Sequence, residues 1–124
     1  MTQAFYTTGQ KGEIIARKIY QSLGFRVEAV NWRFGRQGEI DLIAFHAGHN
    51  LLAFVEVKTR KSATCGHPFD AVGLGKQQQL RRLAEAYLMQ HPPQTESQMR
   101  FDVVGIVYPG HGRPAEISHV ENAF

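Results

Sequence analysis

The run Leu51-Leu52-Ala53-Phe54-Val55-Glu56-Val57-Lys58 sets an acid and a base two residues apart at the end of an otherwise apolar stretch. Such a run predicts a buried strand, and alternation along a strand puts positions 56 and 58 on one face. An unpaired buried charge costs roughly several kcal/mol, so charges this close to an apolar core must neutralise each other, hold a cation or do chemistry. A second acidic stretch, Glu39-Ile40-Asp41, lies one predicted strand upstream.

The rest of the pattern supplies the elements that surround this pair. Ile15, Ala16, Ile19, Tyr20 and Leu23 recur at helical spacing, which predicts a helix over Glu13 to Leu23 with Gly24 as its left-handed cap. Phe25 to Trp32, Ile40 to Phe45 and Leu51 to Thr59 read as three antiparallel strands, the last two joined through Ala47-Gly48-His49-Asn50. After a long polar connection, Thr59 to Gly75, the stripe Leu80, Leu83, Ala84, Tyr87 and Leu88 predicts a second helix that Pro92-Pro93 ends. Phe101 to Tyr108 predicts a fourth strand, Ala115 to Val120 a short fifth, and Phe124 a residue docked on the core.

A symmetric turn centred on Gly48-His49 opposes Asp41 to Glu56, Glu39 to Lys58, Ile43 to Phe54 and Phe45 to Leu52 on one face. The other face pairs Ile40 with Val57, Leu42 with Val55 and Ala44 with Ala53. Both faces are apolar enough to need cover, and two helices are available, so the expected fold is an α/β helix–sheet–helix sandwich in one domain. Directly opposed carboxylates, with Cβ atoms roughly 4.5–5.5 Å apart, repel unless a proton or a cation sits between them.

Strand direction then gathers charge at one end of the sheet. Arg33 and Arg36 lie in the connection between strands 1 and 2, Arg60 and Lys61 follow strand 3, Glu13 starts the first helix, and Lys76 stands one turn before Leu80. Acids ringed by bases suit carboxylates that hold a divalent metal while cations grip a polyanion by its phosphates. Bulk composition permits this: 124 residues, a net charge of +3, a single cysteine and no long apolar segment. A disulfide framework and a membrane span are excluded as expectations, and a cytoplasmic protein is expected. The partner expectations are nucleic acid, DNA in the first instance, and a second copy of the chain.

Asp41 followed by Glu56-Val57-Lys58 resembles the signature of the restriction-endonuclease-like nuclease superfamily, an Asp and then Glu-x-Lys on the neighbouring strand. Over nearly the whole chain, Lys11-Gly12-Glu13, Asn31-Trp32-Arg33, Gly38 to Ile43, Phe54 to Arg60, Arg100 to Val104 and Asn122-Ala123-Phe124 resemble the YraN-type uncharacterised bacterial family. The first part is also similar to archaeal Holliday-junction resolvases, which place an acid on the first helix, as Glu13 does. Where the superfamily often has Pro before its Asp, this chain has Ile40.

The resemblance implies a restriction-endonuclease-like fold, with three antiparallel strands and then a crossover helix to a parallel fourth strand. It also implies a metal-dependent nuclease that hydrolyses DNA phosphodiesters, including branched or structured DNA, to leave a 5′-phosphate and a 3′-hydroxyl. In that reading Asp41, Glu56 and the Val57 carbonyl hold Mg²⁺ or Mn²⁺, with Glu13 completing the oxygen shell directly or through water. Lys58 orients or deprotonates the attacking water, and Arg33, Arg36, Arg60, Lys61 and Lys76 contact the nucleic acid.

Plainer readings stand beside these. Glu39 and Lys58 suit a cross-strand ion pair worth ~0.2–1 kcal/mol, and Glu13 suits a helical pair with Arg17 worth ~0.3–0.5 kcal/mol. Asp102 suits a structural hydrogen-bonding role better than a place in the site. His46, His49, Cys65 and His67 lack the usual spacing of a zinc site, and Cys65 has no evident orienting pair for nucleophilic catalysis. Gly73-Leu74-Gly75-Lys76 fails as a phosphate loop because Asp70 and Gln77 stand where that motif needs Gly and Ser or Thr. The rival to the nuclease is a non-catalytic nucleic-acid-binding module on the same fold.

Overall fold

The structure is a computed structural model that describes residues 7–61, 72–93 and 95–124. Its elements are α1 (Thr8–Ser22), β1 (Arg26–Arg33), β2 (Glu39–His46), β3 (Leu51–Arg60), α2 (Leu74–Gln90), β4 (Gln98–Val107) and β5 (Glu116–Val120). Helix α1 begins earlier than its apolar stripe because Thr7 and Gln10 form a reciprocal capping box ahead of the first buried residues. It stops at Gly24, whose φ of 90° only glycine adopts readily. There the Gly24 N–H donates to Gln21 O and the Phe25 N–H to Tyr20 O, which satisfies the last carbonyls and turns the chain into β1.

The five strands lie in the order β1-β2-β3-β4-β5, with β3 and β4 parallel and every other neighbour antiparallel. A parallel pair needs a crossover, and α2 supplies it between β3 and β4. The expected fifth strand is present, and Phe124 stacks on Phe101 at 5.1 Å. Each face of the sheet carries its own apolar cluster. On one, Ala16 and Tyr20 of α1 pack against Leu42, Ala44, Ala53, Val55, Val104 and Ile106. On the other, Leu80, Leu83, Ala84 and Tyr87 of α2 pack against Ile40, Ile43, Leu52 and Phe54. The helix–sheet–helix sandwich expected from two apolar faces is therefore the one that forms.

The hairpin register is as expected from Leu42 opposite Val55 to His46 opposite Leu51, and it goes no further. Beyond that point β2 keeps its pairing with β1 as far as Glu39, and β3 keeps its pairing with β4 as far as Arg60. The sheet thus forks between β2 and β3. The expected main-chain pairs of Asp41 with Glu56, Ile40 with Val57 and Glu39 with Lys58 are not made. A side chain has displaced them: the Val57 N–H donates to Asp41 Oδ2 at 2.7 Å. With Asp41 spent sideways across the fork, strict alternation lapses, and Ile40 joins the α2 cluster rather than the α1 face expected for it.

Candidate functional site at the fork of the sheet

The two acids that the hairpin brings together sit at the branch point. Glu56 belongs to the row of Leu52 and Phe54, which places it under α2, and its side chain is only 4 % exposed. Its Oε1 lies 3.2 Å from Lys58 Nζ and 3.6 Å from Lys76 Nζ, so one oxygen is shared by two ammonium groups. Its Oε2 is buried and has no hydrogen-bond partner among the described residues. Asp41 has given Oδ2 to the Val57 amide. Burial first, and then the neighbouring negative charge of Glu56, push its carboxyl up to about 7, with Glu13 and Glu39 adding to the rise.

Glu13 stands one turn into α1, where Asn31 Nδ2 donates to its Oε2 at 3.2 Å. Asn31 is one of the few non-glycine residues in the left-handed region, at φ 51°, a conformation that Asn tolerates better than most. Gly12, just before Glu13, lets α1 lie close on β3, because a Cβ there would collide with the Thr59 methyl group. The negative charge of Glu13 adds to the rise in the Asp41 carboxyl. Among the described residues, no three His, Cys, Asp or Glu side chains come together as a set of metal ligands.

The bases divide. Lys58 and Lys76 enter the site, whereas Arg33 turns to Glu39 at 3.0 Å, so the Glu39–Lys58 pair is replaced by Arg33–Glu39 and Lys58–Glu56. Arg60 donates to the Thr59 carbonyl, and Arg36 and Lys61 stay at the surface of the same end of the sheet. Cys65 and His67 lie outside the described residues. His46 stacks on His49 and accepts from the His49 amide at the hairpin, far along the strands from the acids. A cavity of about 490 Å³ lined by Arg26, Phe45, Leu52, Tyr87, His91 and Ser97 among others is also at that hairpin end, and it contributes no part of the acid site.

A paired acid, an orphaned carboxylate oxygen and two ammonium groups at the mouth of a split sheet form a site whose charges are only partly matched. The profile of Uncharacterised protein family UPF0102 matches residues 12–106, which span Glu13, Asp41, Glu56, Lys58 and Lys76. The chain belongs to that family. Among its UPF0102 relatives, a protein of Natranaerobius thermophilus is 45% identical over 116 residues, covering 94% of this chain and 95% of the relative. A protein of Clavibacter michiganensis is 42% identical over 107 residues, covering 86% and 87%, and one of Rhodococcus opacus is 42% identical over 116 residues, covering 94% of each.

Three features of this UPF0102 site escaped sequence reasoning. Asn31 falls in the family-like Asn31-Trp32-Arg33 stretch, but its contact with Glu13 comes from a left-handed backbone position that sequence does not mark. Lys76 was expected to meet phosphate, and its contact with Glu56 depends on how α2 crosses the sheet. Gln79 Nε2 donates to Gln37 O at 2.8 Å, tying α2 to the connection that carries Arg36. A polar residue one position before a core leucine was the one available hint for it. Among the described residues, no helix of this UPF0102 chain is long and apolar enough to cross a membrane.

Proposed function

We propose that this chain is a divalent-cation-dependent nuclease of restriction-endonuclease-like type that hydrolyses DNA phosphodiester bonds, with branched or otherwise structured DNA among its substrates. The observation that carries the reading is Glu56 Oε2: a carboxylate oxygen buried without a partner, beside an Asp41 already held near neutrality. Burying an unsatisfied charged atom is costly, and a cation at that position would remove the penalty. Asp41, Glu56 and the Val57 carbonyl supply the oxygen donors that Mg²⁺ or Mn²⁺ prefers, and two or three protein oxygens suit an ion that keeps several waters. When bound, such a cation neutralises charge on the phosphoryl oxygens.

The chain's own groups account for the remainder. Lys58 shares a strand face with Glu56 and is three-quarters covered, which suits an ammonium that orients the attacking water or relays its proton. Arg36, Arg60 and Lys61 surround the mouth of the fork, and Arg33 joins them from its pair with Glu39; they position phosphates without reading bases. A bacterial DNA substrate places the protein in the cytoplasm, where a lone cysteine stays reduced.

Labelled single-stranded, duplex, flap and four-way-junction DNAs, incubated with Mg²⁺ or Mn²⁺, test the reading. Asp41→Asn and Lys58→Ala should each lower cleavage about a hundredfold or more, given the several kcal/mol that such charge stabilisation contributes. Undiminished cutting by Asp41→Asn would refute the assignment. The two lysines already on Glu56, with no third acidic ligand among the described residues, favour a second reading: a nucleic-acid-binding module without catalysis. Salt-sensitive DNA binding that ignores divalent cations, with no cleavage of any substrate, would select it.

A further inference from the structure

Glu56 is held by more positive charge than it carries. The two ammonium groups that share its Oε1 repel each other and leave Oε2 bare. They are not equivalent. Lys58 sits two residues along the same strand, is the nearer of the two and is 25% exposed. Lys76 reaches across from the first turn of α2 at 3.6 Å and is 32% exposed. That helix starts at Gly73 with no side-chain cap and no acid in its first turn. An ammonium group at the positive end of a helix is disfavoured, so Lys76 stands where an anion is wanted, and Glu56 meets that demand at the longer of the two distances.

We propose that Lys76 is the displaceable counter-ion of Glu56, and that through it a divalent cation and a DNA phosphate bind this site with positive coupling. The proposal rests on the nuclease reading and adds an order to it. A cation arriving alone at Asp41 and Glu56 competes with Lys76 for the same carboxylate and leaves the ammonium group without an anion. A phosphodiester arriving with the cation takes over Lys76, and every charge then keeps a partner of opposite sign. Coupling is reciprocal: the factor by which DNA tightens the cation is the factor by which the cation tightens DNA. The consequence is a site that is guarded against free cations and becomes competent when a phosphate backbone is present.

Lys76→Met keeps the length of the side chain and removes its charge, while Lys76→Arg keeps the charge. Mn²⁺ binding to each full-length protein alone is read from the electron paramagnetic resonance signal of the free ion. Binding of a labelled duplex is read by anisotropy in EDTA and in Ca²⁺, which takes the same oxygen ligands. Lys76→Met should bind Mn²⁺ about tenfold more tightly than the wild type, and its DNA affinity should gain no more than about twofold from Ca²⁺, against about tenfold for the wild type. Lys76→Arg should restore the wild-type pattern. Equal or weaker Mn²⁺ binding by Lys76→Met, or an undiminished gain from Ca²⁺, overturns the proposal. If Asp41→Asn abolishes Mn²⁺ binding in the same assay, the nuclease reading survives that failure; a wild type that binds no Mn²⁺ even with the duplex present overturns both.

Discussion

Two buried carboxylates on adjacent parallel strands, Glu56 of β3 and Asp102 of β4, are almost equally hidden, at 4 % and 0 % exposure, and their surroundings are opposite in kind. Asp102 is saturated. Arg100 grips both of its oxygens at 2.7 and 2.9 Å, the Tyr20 hydroxyl donates to Oδ2 at 2.6 Å, and the Asn122 amide donates to Oδ1 at 2.9 Å. The network joins α1, β4 and the C-terminal turn, and His119 of β5 meets the Tyr20 hydroxyl at 2.9 Å. Burial and the adjacent Asp102 charge push the Tyr20 hydroxyl far up, so it remains a donor at every ordinary pH. Glu56, by contrast, keeps one oxygen bare, and its neighbour Asp41 titrates near neutrality. Burial alone does not distinguish the two acids; the difference lies in whether the carboxylate's hydrogen-bonding capacity is met.

That contrast breaks most directly at Asp102. Asp102→Ala leaves Arg100 and Tyr20 facing a void, and removing one partner of a buried pair is expected to lower stability by about 3–5 kcal/mol. Urea unfolding followed by far-ultraviolet circular dichroism measures it, and a loss below about 1 kcal/mol would show that the network is decorative.

The opposite sign is expected across the fork. Asp41 has a folded pKa of about 7, above the ordinary unfolded value of about 3.9. Its contribution is therefore fully favourable below about pH 4 and is lost as the pH rises through 7. Asp41→Asn stays neutral and escapes that loss. The full shift is worth about 4 kcal/mol, and after discounting for solvent screening the variant should gain about 2 kcal/mol on the wild type between pH 5 and pH 8. Parallel stability curves against pH for the two proteins would place the titration elsewhere.

A smaller effect sharpens the comparison further. A cation must displace the Asp41 proton below neutrality, so Mn²⁺ affinity should climb about tenfold per pH unit up to about pH 7 and flatten above it. Calorimetry in buffers of different ionisation heat would read the released proton directly. A pH-independent affinity would move the cation away from Asp41.

Much of this architecture was written in local pattern. Ala16 and Tyr20 on one helix, Leu80 and Leu83 on the other, and two apolar strand faces between them required a sandwich. A short turn at Gly48-His49 determined which residues oppose each other from Leu42 with Val55 to the hairpin, and hence that Asp41 and Glu56 stand at the end of that ladder. Turn geometry and side-chain periodicity act over a few residues, so the chain alone decides them. Tertiary structure decided the rest: where the hairpin ladder stops, which face Ile40 takes, that Arg33 claims Glu39, and that Lys76 arrives at Glu56. Each of these is a competition between partners far apart in sequence. The Val57 amide donates to the Asp41 carboxyl instead of to a main-chain acceptor on β2, and the sheet opens where the acids stand.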